Sequence, residues 1–254
     1  MKLTNVFLTL LLSLFVANLN AQQNVRDSII STPWVAVNYG GMFTGADLAD
    51  RYGFINHLGV MAGYKTTKNW VWSLDGNFMF GNQIRVDDPL ANLRDSKGFI
   101  TDQNGSPADA FLFSRGFNVN AVIGKVVPVL SPNKNSGLFF KFGAGYMMHK
   151  IRVETNNHVV PLIELDYKKG YDRLTGGLNL SQFAGYALMA NRGYLNFYAG
   201  FYIQEGFTKN YRTIFFDQPD VPVSQDIRLD IQYGFKVGWF IPIYKRLPKE
   251  FYYD

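Results

Sequence analysis

The sequence predicts an all-β fold: an eight-stranded, antiparallel, up-and-down transmembrane β-barrel of the bacterial outer membrane. Three observations carry this expectation. Segment after segment alternates apolar with polar residues, as a strand does when successive side chains turn to opposite faces. The connections between segments are alternately short and long, which suits a barrel with tight periplasmic turns and long outer loops. An apolar leader opens the chain, yet no later segment reaches the ~20 apolar residues a membrane helix needs. Any membrane span must therefore be a closed sheet.

Residues 1–21 read as a signal peptide. Lys2 supplies the positive end, residues 6–17 are Leu- and Phe-rich, and Leu19-Asn20-Ala21 offers a cleavage site before Gln22. Residues 22–33 are a polar periplasmic lead-in, 34–241 the barrel, and 242–254 a basic and aromatic periplasmic tail.

The eighth strand shows the pattern most clearly. Ile227, Leu229, Ile231, Tyr233, Phe235, Val237 and Trp239 share one face, while Arg228, Asp230, Gln232, Gly234, Lys236 and Gly238 share the other. The first strand is expected over 34–43, with Val35, Val37 and Tyr39 aligned. The second covers 55–65, with Leu58, Val60, Ala62 and Tyr64 outward. The third covers 70–80, with Trp70, Trp72, Leu74, Phe78 and Phe80 outward and Ser73, Asp75 and Asn77 inward. The fourth covers 113–127, where Phe117, Val119, Ala121 and Ile123 oppose Asn118, Asn120 and Gly124. The fifth covers 138–153, with Leu138, Phe140 and Phe142 outward and Phe139, Lys141 and His149 inward. The sixth covers 174–189 and the seventh 194–206, where Leu195, Phe197, Phe201 and Ile203 alternate with Tyr198, Tyr202 and Gln204. Residues 66–69, 128–136 and 190–193 make the short connections, and 44–54, 81–112, 154–173 and 208–225 the long ones. An even strand count puts both ends in the periplasm.

Composition narrows the function classes. The 22 Phe, 15 Tyr and 4 Trp suit interfacial girdles. The absence of Cys excludes disulfides, thiolate metal sites, a cysteine nucleophile and a lipid-anchored mature terminus. The net charge is +5, with 25 basic and 20 acidic residues interspersed and no basic stripe threaded with aromatics, so no nucleic-acid partner is expected. The positive balance suits contact with outer-membrane lipid and lipopolysaccharide phosphates.

Five charges fall on inward positions: Asp75, Lys141, Arg228, Asp230 and Lys236. An eight-stranded barrel is about wide enough for side chains to fill it, and buried charges must be paired. The five therefore read as a salt-bridged plug, with an ion pathway as the alternative. Catalysis would need a serine, a histidine base and an orienting carboxylate. The histidines are His57 and His149 near the outer rim and His158 in a loop. No serine stands at strand spacing from any of them, so they read as surface residues without a partner, and no enzyme is expected. The loop acids lack a ligand-loop spacing, so no metal or cofactor is expected.

Specificity is expected in the long outer loops and in the tail. Phe215 and Phe216 follow Ile214 in an outer loop, and packing within the protein accounts for them more readily than a partner does. In the tail, Pro242 should stop ladder pairing. Lys245, Arg246, Phe251, Tyr252 and Tyr253 suit either a headgroup anchor or a docking peptide.

The leader ending Asn20-Ala21-Gln22-Gln23, strands such as Phe142-Gly143-Ala144-Gly145-Tyr146, and the closing run from Gly238 to Lys245 resemble the small outer-membrane barrels of Bacteroidota, the broad family that includes the PorT-like barrels. The resemblance covers nearly all of the mature chain. It implies the barrel fold and an envelope location; some members of that family serve secretion or surface assembly. The expected function is a non-enzymatic structural or accessory subunit of an envelope complex, acting through outer loops and tail. The alternatives are a narrow channel for small solutes or ions and a lipid-modifying enzyme.

Overall fold

The computed structural model describes residues 29–155, 158–190 and 195–243. Eight long strands run β1 (Thr32–Ala46), β2 (Ile55–Lys65), β3 (Trp70–Gly81), β4 (Ala110–Val127), β5 (Gly137–Thr155), β6 (Thr175–Met189), β7 (Asn196–Asn210) and β8 (Arg228–Pro242). Each pairs antiparallel with the next, and β1 pairs with β8 to close the barrel. Closure leaves no sheet edge, which is the condition for a sheet to cross lipid. Among the described residues no helix is long and apolar enough to cross a membrane.

The register fixes the tilt. From Val37 the ladder passes Val60, Gly76, Val119, Tyr146, Leu178, Phe207 and Leu229. It then returns at Asp47, the residue after β1 and ten positions beyond its start, where the Asp47 N–H donates to Leu229 O at 3.0 Å. An offset of that size tilts strands by roughly 35–45°.

The outer wall is the apolar half of each alternation. Val37, Leu58, Val60, Leu74, Val119, Phe142, Leu178, Phe235 and Val237 are all exposed. Trp70, Trp72, Tyr64, Phe197 and Trp239 ring the end where the strands meet short turns. Phe43, Phe78, Phe117, Phe207 and Tyr233 ring the other end, where the loops are long. Two aromatic girdles about an apolar band are the signature of a membrane-crossing barrel.

The observed strands outrun those expected in several places. β1 continues through Ala46, β7 through Asn210, and β5 through Thr155. Thr44–Ala46 and Thr208–Asn210 read as loop because they break the apolar alternation. They pair all the same, because the ladder continues beyond the lipid band, where the outward face no longer needs to be apolar. At the closing end Pro242 ends β8, but pairing persists for one more bond, from the Ile243 N–H to Pro33 O at 2.8 Å.

The lumen is filled. At the turn end, Trp34, Val71, Val126, Phe139, Phe183, Met189, Tyr198 and Phe240 form an apolar plug. A cavity of about 30 Å³ remains among them, bounded also by Lys65 and Asn135, enough for about one water. Gly238 lets the Tyr198 ring lie flat against β8; a methyl there would overlap the ring.

Candidate functional site

The inward charges separate into two clusters and one isolated lysine. The first cluster crosses the middle of the lumen. Lys236 Nζ donates to Asp75 Oδ2 at 3.1 Å and to Asn77 Oδ1 at 2.8 Å. Asn38 and Asn77 both donate to Asp75 Oδ1, at 3.3 and 3.2 Å. The chain continues from Asn77 to Asn118 at 2.8 Å and from Asn118 to Gln204 at 2.9 Å. Asn179 joins through Asn120 at 2.7 Å, and Asn120 donates to Asn118 at 3.3 Å. Residues of β1, β3, β4, β6, β7 and β8 are thereby tied across the bore. Asp75 and Lys236 are 2 % and 0 % exposed, so each needs the other: an unpaired charge at such a site carries the full desolvation cost.

The second cluster sits at the outer mouth. Asp230 Oδ2 accepts from Thr208 Oγ1 at 2.6 Å and bonds His149 Nε2 at 2.9 Å, while its other oxygen takes the Arg51 guanidinium. Arg228, part-buried above, donates to Asn210 Oδ1 at 2.7 Å and to Thr175 Oγ1 at 3.3 Å. Arg51 comes from the first outer loop and inserts into the mouth. Sequence reading missed it, because nothing local distinguishes it from a solvated loop arginine.

Lys141 belongs to neither cluster, which corrects its place in a hydrogen-bonded plug. Its Nζ is buried with no hydrogen-bond partner among the described residues. It lies 4.4 Å from the Tyr198 ring, 4.6 Å from Phe183 and 5.6 Å from Phe139. The negative faces of aromatic rings stabilise it there, and the Asp75 carboxylate attracts it from beyond hydrogen-bond reach.

The histidines also need correcting. None is a partnerless surface residue. His57 is fully buried and meets Gln232 Oε1 at 2.5 Å. His149 bonds Asp230 and stands 3.5 Å from the Tyr52 hydroxyl. His158 meets Asp102 at 2.9 Å. The His149–Asp230 pair is the orienting half of a nucleophilic triad, but among the described residues no serine hydroxyl bonds His149, and Arg51 shares the carboxylate.

Above the mouth the outer loops form a folded cap. The loop after β3 carries a short hairpin, Ile100–Thr101 paired with Pro107–Ala108. Leu90, Ile100, Ala108, Val153, Val160, Ile163 and Tyr171 bury one another in the cap. A second cluster of Leu48, Tyr52, Ile55, Met79, Met147 and Ile151 joins the cap to the bore. Phe215 and Phe216 are part of this assembly: Phe215 lies under the Arg173 guanidinium at 4.7 Å, and Phe216 meets Tyr171 edge-on at 5.6 Å. Arg173 pairs with Asp217 at 2.5 Å, and Arg212 with Asp172 at 2.8 and 2.7 Å. Lys245, Arg246, Phe251, Tyr252 and Tyr253 lie outside the described residues, as do the leader, most of the lead-in and most of the 190–193 turn.

Asp102 latches the cap hairpin. Its Oδ1 accepts the N–H groups of Asn104 and Ser106, both at 2.8 Å, and its Oδ2 meets His158. The His158 hydrogen bond, followed by the Ser106 N–H, holds its carboxyl below the ordinary carboxylate range. A carboxyl with a lowered folded pKa contributes stability above its unfolded pKa and loses it as pH falls through the folded one. Amide exchange at Asn104 and Ser106, corrected for intrinsic rate, should therefore be slow at neutral pH and accelerate in acid below the ordinary carboxylate range. Asp102→Asn should exchange fast throughout. Indistinguishable profiles for the two proteins would refute the latch.

A closed, tilted barrel with an apolar outer wall, two aromatic girdles and a filled bore defines a small integral β-barrel of the bacterial outer membrane. No protein-family model matches the chain, and no curated protein matches it. Among solved structures it aligns with Ail, the attachment invasion locus protein of Yersinia pestis, at 9% identity and a TM-score of 0.40, over 83% of this chain and 99% of that one. It aligns with the N-terminal β-barrel domain of Pseudomonas aeruginosa OprF at 13% identity and 0.36, over 84% and 100%. The outer membrane protein OprG of the same organism gives 8% and 0.36, over 87% and 99%.

Proposed function

We propose that this barrel is a non-enzymatic structural or accessory subunit of an envelope complex, acting through its outer cap and its C-terminal tail. The observation that carries the reading is the cap. Its loops spend apolar residues on a core of their own, yet leave Val159, Leu162 and Tyr167 exposed at 48%, 53% and 58% on one loop. Large apolar side chains held on a folded platform above the membrane suit a protein contact. The bore, filled at both ends and tied across its middle, supports a role other than transport. The PorT-like kinship and its link to secretion or surface assembly belong to this reading. So does docking through Lys245, Arg246, Phe251, Tyr252 and Tyr253, with lipopolysaccharide phosphates as the lipid contact.

Cross-linked co-purification from native envelopes tests it, comparing the full chain, a chain ending at Tyr244, and a Leu162→Ser, Tyr167→Ser double variant. A defined partner held by the full chain and lost in either altered form is the expected result. Identical recovery from all three, or no partner from any, would contradict it.

A further inference from the structure

Two outward side chains between the girdles do not belong in lipid: the Glu205 carboxylate on β7, between Ile203 and Phe207, and the Gln182 carboxamide on β6. Gln182 stands in the middle of β6, seven residues from each end. It is exposed on the outer wall, opposite Phe142 on β5 and Ile203 on β7. No hydrogen bond to its amide forms among the described residues. The outward positions nearest the middle of β2, β3, β4, β7 and β8 are Val60, Gly76, Val119, Ile203 and Phe235. Those of β1 and β5 are tyrosines, but their hydroxyls are bonded, Tyr39 to Asn56 at 2.6 Å and Tyr146 to Tyr211. Gln182 is thus a carboxamide presented to hydrocarbon with donor and acceptor both unmet, which lipid cannot satisfy.

We propose that the β5–β6–β7 face is a lateral interface within the membrane, and that its occupant is a second copy of this chain. A carboxamide carries both a donor and an acceptor. Two of them facing across a two-fold axis along the membrane normal satisfy each other reciprocally, as an isologous contact requires. Phe142 and Ile203 flank Gln182 directly, and two small exposed residues lie one step further, Ala184 along β6 and Ala144 diagonally on β5. Small residues let two packed surfaces approach closely in a bilayer, where tight contact and polar pairing drive association. This inference rests on the membrane-spanning fold, not on the proposed role of the cap or tail.

The chain has no cysteine, so one introduced thiol reports the contact. Gln182→Cys in the full chain, oxidised in native outer membranes, is expected to give a disulfide-linked species of twice the chain mass. Val60→Cys, four strands away on the opposite wall, is expected to give none. Gln182→Leu should keep the heat-modifiable mobility of a folded barrel and shift the protein from dimer to monomer in mild detergent. Three results would each overturn the proposal: no doubled species from Gln182→Cys, equal cross-linking from Val60→Cys, or an unchanged dimer in folded Gln182→Leu. A Gln182→Cys cross-link to a chain of different mass would overturn it too, by assigning the face to another protein.

Discussion

Replacing Asp230 with alanine is expected to destabilise the barrel by about 3–5 kcal/mol, the cost of removing one partner from a buried ion pair. Asp230 is fully buried and is the shared acceptor for Arg51, His149 and Thr208. Alanine leaves the Arg51 guanidinium in the mouth with neutral acceptors, Asp47 O at 3.2 Å and Thr175 Oγ1 at 3.4 Å, and His149 loses its carboxylate. The loss should appear as a lower urea midpoint in detergent, read by heat-modifiable gel mobility. Arg51→Ala should cost less, because Asp230 keeps the His149 and Thr208 bonds. A loss under about 1 kcal/mol on Asp230→Ala would mean that the mouth cluster is solvated and holds little, as exposed pairs do.

Val237→Arg is expected to cost about 2–4 kcal/mol in a bilayer, the range for a basic side chain near the midplane of a barrel's lipid face. Val237 is 50% exposed, pairs with Tyr39 and Ala199, and sits between Trp239 in one girdle and Tyr233 in the other. The same substitution one residue earlier would test something else, since Lys236 points inward to Asp75. An unchanged unfolding midpoint for Val237→Arg in lipid vesicles would mean that this face does not meet hydrocarbon.

The barrel was legible because lipid and lumen impose opposite demands on alternate residues. β2 matches its expected bounds at both ends, since Ile55 and Lys65 close a clean alternation between polar turns. Strand ends above the lipid were not legible. In Thr208–Asn210 nothing apolar marks the outward side, and pairing with β6 and β8 decides the structure instead. Parity placed Asp75, Lys141, Asp230, Lys236 and His149 on the inward face. It could not say which of them meet: Asp230 and His149 are 81 positions apart and join only through the closed register. Lys141 was hardest to read, because its neighbours Phe183 and Tyr198 lie on other strands and carry no charge to suggest a pair. The cap was missed for a related reason. Leu90, Ile100 and Ile163 are isolated apolar residues in polar loops, with no period to connect them before the barrel brings the loops together.

The paired and filled bore should close the lumen to ions. Single-channel recording of the full chain in planar bilayers tests it most directly. No unitary conductance is expected, with folded insertion verified by heat-modifiable mobility. Reproducible unitary steps that change size or selectivity on Asp75→Asn or Lys141→Gln would contradict it, because they would place a water-filled path where the Asp75–Lys236 pair and the Lys141 rings close the lumen.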